Sequence, residues 1–187
     1  MRVSVTSVLR RSATFVTLLG LALPATALGA KRHPKPKPPT KAKIAKALHR
    51  SKSLWATINI CDTPAHPNAI GIRGSMPGTG EAGVMYIRFR VEYFTAADKT
   101  WHFAESGGNS DWIRVGSAKY RVRQTGFTFT FAPPPGGGAW TMRGVVTYQW
   151  RVGKKVVFKE ERNTVHGHVD AVGGDPAGTS LGLCSIS

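Results

Sequence analysis

The chain has 187 residues, 41% of them hydrophobic, and 26 Lys and Arg against 10 Asp and Glu give it a net charge of +16. Twelve of the basic residues precede Leu54 and all ten acidic residues follow it, so the part able to fold carries only about +4. This excludes a nucleic-acid-binding domain defined by its bulk charge, and the length suits one domain with a real core rather than several.

Arg2, Arg10 and Arg11 give a positive start, and residues 12–30, SATFVTLLGLALPATALGA, form an apolar run ending in small residues. Thr14, Thr17, Gly20, Pro24 and Thr26 break that run short of the roughly 20 apolar residues a membrane-spanning helix needs. Ala25-Thr26-Ala27 suits a small-x-small cleavage site. Residues 1–30 therefore read as a secretory signal peptide, which predicts a secreted or cell-envelope-associated protein with no transmembrane segment after cleavage. No cysteine follows the run, which argues against a lipoprotein.

Residues 31–53 read KRHPKPKPPTKAKIAKALHRSKS, with nine Lys and Arg and no acidic residue. The first half should be extended, because each proline fixes φ and removes a donor. The second half has Ile44 and Leu48 four apart, as a short cationic helix would, but a helix of that length is marginal alone in water. The whole of 31–53 is therefore expected to be a disordered basic tail. Outside the cell its natural counter-charge is an anionic cell-wall or extracellular polymer, and nucleic acid is not the expected partner.

From Leu54 the pattern changes to period two. Residues 54–61, LWATINIC, alternate Leu54, Ala56, Ile58 and Ile60 against Trp55, Thr57, Asn59 and Cys61. DTPAHPN is a turn-rich break, and AIGIRGS is a short strand. Residues 84–94, VMYIRFRVEYF, place Met85, Ile87, Phe89, Val91 and Tyr93 on one face and Tyr86, Arg88, Arg90 and Glu92 on the other. KTWHFA and WIRVG are short strands separated by ESGGNSD. YRVRQ and FTFTF are two more, with Phe127, Phe129 and Phe131 facing one way. APPPGGG cannot lie inside a sheet. WTMRGVVTYQWRV and KVVFKEERNTV flank a tight turn in which Gly153 is available for positive φ. Seven to nine short strands with turn signals between them, and no convincing helix, predict an all-β sandwich or barrel over residues 54–187.

Cys61 and Cys184 are the two cysteines, and in an exported chain such a pair is expected to be bridged. They bracket nearly the whole domain, so loop-closure entropy puts an upper value of about 5 kcal/mol on the bridge. The reading is a staple between the first strand and the C-terminal segment, near an end of the sandwich.

The hairpin TYQWRVGKKVVFKEERNTV, with a cysteine near the chain's end, resembles the last hairpin of immunoglobulin- or fibronectin type III-like bacterial exported domains. The proline–lysine tail after a signal peptide, and GGDPAGTSLGLC near the terminus, are similar to small secreted proteins of high-GC Gram-positive bacteria. The resemblance covers about residues 54–187 and implies a single immunoglobulin-like β-sandwich in an extracytoplasmic location. It carries over no functional residue. One departure is that Cys61 and Cys184 are too far apart in sequence for the usual inter-sheet disulfide of antibody domains.

Few segments carry chemistry. GTGEAG, residues 78–83, matches the glycine spacing of a dinucleotide-binding turn, but Met76-Pro77 precedes it and a β-alternating run follows, so it reads as a loop. In HGHVD, His166, His168 and Asp170 would share one face if the chain were extended, and two imidazoles with a carboxylate suit zinc with an open water position. They define the alternative reading, a small metal-dependent hydrolase, against which stands the Gly-rich stretch they open. Glu160 and Glu161 are adjacent, so on a strand they point to opposite faces, and no Gly-x-Ser-x-Gly elbow is present. Arg88 and Arg90 with Tyr86, joined by Arg121 and Arg123, would make a cationic, partly aromatic face suited to anionic glycans or single-stranded nucleic acid. The sequence thus favours a non-catalytic binding or structural module without cofactor, and it leaves the oligomeric state open.

Overall fold

The computed structural model describes residues 38–119 and 121–187. The predicted signal peptide, residues 1–30, and the first part of the basic tail, residues 31–37, lie outside the described residues. Along the chain run α1 (Lys41–His49), β1 (Trp55–Thr63), β2 (His66–Pro77), β3 (Val84–Thr95), β4 (Thr100–Phe103) and β5 (Ile113–Ser117). Then follow β6 (Val122–Thr130), β7 (Trp140–Val152), β8 (Lys155–Asn163) and β9 (Cys184–Ile186).

The named strands pair antiparallel throughout and form two sheets packed as a β-sandwich. One sheet has the order β1-β2-β6. In the other, the long strands β3 and β7 lie side by side; β4 and β5 share the outer edge of β3, and β8 and β9 share that of β7. The alternation of β3 sends Met85, Ile87, Phe89 and Val91 inward, each fully buried. On β7 the inward positions are Met142, Val146, Tyr148 and Trp150, which join Ile58, Ile70 and Ile72 of the facing sheet in one core. Burial pushes the Tyr148 hydroxyl pKa up, so it stays a donor, and it bonds the Trp55 carbonyl at 2.5 Å, tying the two sheets together.

Several local expectations change. DTPAHPN is a two-residue turn at Pro64 and Ala65, and β2 begins at His66 rather than Ala69, because Thr63 and His66 pair directly. Val122–Thr130, which spans VRQ and FTFT, is one continuous strand, β6. Gly126 allows this: a Cβ there would stand 2.9 Å from the Ile72 carbonyl oxygen of the paired strand. β9 has no signature in the sequence, since three residues show no periodicity and need β7 and the disulfide to hold them. The hairpin turn between β7 and β8 is as expected, with Gly153 at φ 57°.

The second half of the tail is not disordered. It forms α1, started by Thr40, whose Oγ1 accepts from the Lys43 N–H at 3.4 Å. Leu48 is only 4% exposed and sits in the main core, with Ile44 packed beside it. Arg162 donates to the His49 carbonyl at 2.8 Å, and the His49 ring meets Glu160 at 3.1 Å. Tertiary burial of two apolar residues thus overrides the weak intrinsic stability of a nine-residue helix. The folded unit accordingly begins at Pro38, not Leu54. Leu48→Ala should cost about 2 kcal/mol, the low end for large-to-small changes, because a peripheral helix undocks instead of leaving a cavity. Amide hydrogen exchange should then show residues 41–49 losing protection while β3 and β7 keep theirs.

β1 contains the change of phase that positions the disulfide. A bulge lies between Ile58, paired with Ile72, and Ile60, paired with Gly71. The extra residue moves Ile60 to the outer face, against Gly71, and turns Cys61 inward beside Ile70. The strict alternation expected of LWATINIC puts these two residues on the opposite faces. Cys61 is bonded to Cys184, with Cα atoms 5.5 Å apart. Because β9 pairs with β7, this bond crosses between the sheets despite its sequence separation of 123.

Candidate functional site: a cation–aromatic sheet face

The outer face of the six-stranded sheet is built from the residues between the inward ones. Register places Tyr86 between Arg114 on β5 and Gln149 on β7, and Gln149 beside Lys159 on β8. Arg88 faces Thr147, Arg90 faces Val145, and Glu92 faces Arg143. Arg151 is paired with Val84 and so projects on the same side as Tyr86. Trp112 lies just before β5.

Guanidinium groups stack on rings across this face. The Arg151 guanidinium lies 4.2 Å from the Tyr86 centroid and 4.8 Å from Trp112, and Arg88 lies 5.0 Å from Trp112 on its own account. Towards β4, Arg90 stands 5.3 Å from Phe103 and Arg143 4.2 Å from Trp101. Stacking uses the flat faces of a guanidinium and leaves its in-plane N–H donors available, while restricting its rotamers.

Charge divides the face in two. In the β4 half the cations are neutralised: Arg143 pairs with Glu92 at 2.7 Å and Arg90 with Glu161 at 2.9 Å, the latter carboxylate also accepting from Thr147. In the β5 half, Arg88, Arg114, Arg151 and Lys159 have no carboxylate within ion-pair distance among the described residues. Arg151 Nε donates to Gln149 Oε1 at 2.7 Å, which fixes its fork, and Arg88 Nε is buried without a hydrogen-bond partner among the described residues. Four strands spaced by about 4.8 Å spread these cations over roughly 14 Å. Such a surface can hold several anionic groups of one extended ligand.

Tyr86, Arg88 and Arg90 share the outward face, as expected from their alternation. Arg121 and Arg123 do not join them, because β6 belongs to the other sheet. Arg121 precedes β6, and the Arg123 side chain reaches the β5 edge, its Nε 3.8 Å from where a Cβ on Gly116 would stand. Trp112, Arg114, Gln149, Arg151 and Lys159 complete the cluster in their place. The alternation of β7 already turns Gln149 and Arg151 the same way; what it lacks is the identity of the neighbouring strand.

HGHVD is not a strand, and Gly167 at φ 95° turns the chain, so the three candidate ligands do not line one face. His168 stacks its ring on Trp55 with centroids 4.4 Å apart and planes at 10°, and its backbone N–H donates to Ser180 Oγ at 2.7 Å. Burial there lowers the His168 pKa below the usual imidazole range. Among the described residues no three His, Cys, Asp or Glu side chains gather in a way that could hold a metal ion. GTGEAG is a loop leading into β3, not the start of a helix. A cleft of about 530 Å³ opens between Tyr93, Phe131 and Trp140, away from Tyr86, Arg88 and Arg151.

No family model and no curated protein matches the chain. Among solved structures it is similar to a glycosyl hydrolase family 2 (GH2) member from Bacteroides cellulosilyticus, with 11% identity and a TM-score of 0.37. The match covers 60% of this chain and 15% of that one, so the chain spans only a small part of that enzyme's length.

Proposed function

We propose that the protein is an exported, non-catalytic β-sandwich module that holds an anionic polymer of the cell envelope or its surroundings. The observation that carries this reading is the half-face of Arg88, Arg114, Arg151 and Lys159, uncompensated by carboxylates among the described residues, with Arg88 and Arg151 held by stacking on Tyr86 and Trp112. Guanidinium groups held by stacking present forked donors to carboxylate or phosphate at little further entropic cost. The positive, apolar and small-residue order of residues 1–30 supports export, and export makes envelope polymer rather than genomic nucleic acid the available polyanion. The basic stretch before Pro38, with Lys31, Arg32, Lys35 and Lys37, adds a second, less specific point of attraction.

The test is retention on isolated cell walls at low and high salt. Arg88→Ala combined with Arg151→Ala should weaken retention about tenfold at low salt, since two charge-assisted contacts are lost. Replacing Lys31, Arg32, Lys35 and Lys37 by Gln should mainly flatten the salt dependence, because those charges act through counterion release and screening. If the double variant keeps its melting temperature and its full retention, the sheet face is not the binding site.

A further inference from the structure

The chain treats the two edges of its three-stranded sheet differently. Along β1 the C-terminal segment supplies backbone partners: Ile58 and Leu181 exchange two bonds of 2.9 Å, Val165 donates to Ala56 at 2.9 Å, and Asp175 donates to Asn59 at 2.8 Å. Along β6 no element among the described residues takes that place. Phe131 N–H donates to the Asn68 carbonyl at 3.0 Å, which sets the phase of the β2–β6 ladder. Odd-numbered residues of β6 therefore bond to β2, while Gln124, Gly126, Thr128 and Thr130 direct their N–H and C=O groups away from the sheet.

An open edge is normally guarded by a charge, a proline or a bulge. Residues 124–132, QTGFTFTFA, contain no charge and no proline, and β6 pairs with β2 without a bulge. On the same edge Phe127 is 39% exposed, its ring resting 4.8 Å from that of the buried Phe129.

We propose that β6 is a dimerisation edge on which a second copy of this chain lays its own β6 antiparallel, joining two three-stranded sheets into one of six strands. Centred on Phe127, this register lets Gly126 exchange backbone bonds with Thr128 of the other copy, and Gln124 with Thr130. The two Phe127 residues then meet as a non-hydrogen-bonded pair, the geometry that brings cross-strand rings closest. Antiparallel symmetry also keeps like charges apart, since Arg123 of one copy faces Phe131 of the other. Over residues 124–132 the edge carries no charge with which to select an acidic or basic peptide. The chain's own residues 31–37, KRHPKPK, are poor strand partners because their two prolines donate nothing.

Sedimentation velocity on the protein as recovered from expressing cells should show a monomer–dimer equilibrium in the micromolar range. Thr128→Pro removes an N–H that points away from β2, so it should abolish the dimer while leaving the fold and melting temperature nearly unchanged. Phe127→Cys supplies a separate readout. The only two cysteines are bonded to each other, so a new thiol on the symmetry axis should give a disulfide-linked dimer on air oxidation. A wild-type chain that stays monomeric at high micromolar concentration overturns the proposal. So does a dimer that survives Thr128→Pro, or a Phe127→Cys variant that fails to cross-link.

Discussion

Replacing both Cys61 and Cys184 by Ala should lower stability by about 3–5 kcal/mol, the range for a native bridge closing a long loop. The loop here spans nearly the whole sandwich, so the bond restricts most of the unfolded chain. It also has a local task. β9 is three residues long, and besides the bond it is held chiefly by its short pairing with β7 and the burial of Ile186. A domain of this size loses about 2–4 °C per kcal/mol, so the melting temperature should fall by roughly 10 °C. Thermal melts with and without reductant check this. A midpoint unmoved by complete reduction would show that core packing alone clamps the sheets.

Trp150→Ala should have a comparable effect, about 3–5 kcal/mol, through a different term. Trp150 is 1% exposed and among the largest fully buried side chains, so its removal leaves a cavity in the core where β3 and β7 face the other sheet. Its indole N–H donates to the Pro77 carbonyl at 2.9 Å, at the end of β2. Truncation therefore also leaves that carbonyl short of a partner. Trp150→Phe separates the two contributions: it keeps most of the apolar volume and should cost about 1–3 kcal/mol, the penalty of a buried group left unpaired. Chemical denaturation of both variants measures the difference. Equal losses for Ala and Phe would mean that the hydrogen bond, not the packing, dominates.

β3 was legible in the sequence almost to the residue, because a half-buried strand imprints its alternation directly. The same holds for β7, β8 and their turn, where Gly153 meets a positive φ. The break in β1 was not legible. A bulge costs one residue and leaves no compositional trace, yet it moves Ile60 out and Cys61 in. Gly126 misled in the other direction, since a glycine inside a strand looks like a strand end until the neighbouring carbonyl 2.9 Å away explains it. The helix of residues 41–49 was visible as a pattern but not as a structure, because its stability comes from the pocket that receives Leu48.

The candidate site divides in the same way. That Tyr86, Arg88 and Arg90 project together follows from period two alone. That Arg121 and Arg123 leave this face, and that Trp112, Arg114, Arg151 and Lys159 enter it, depends on which strands become neighbours. By itself the sequence determined the class of fold, the single cysteine pair, the segregation of charge and the two faces of each long strand, because these are local properties of composition and period. Only the tertiary structure decided strand order, the crossing of the disulfide between sheets and, among the described residues, which arginines of the face meet carboxylates and which edge of β6 is left without a partner strand. Those depend on contacts between residues far apart in the chain, whose energies no local window contains.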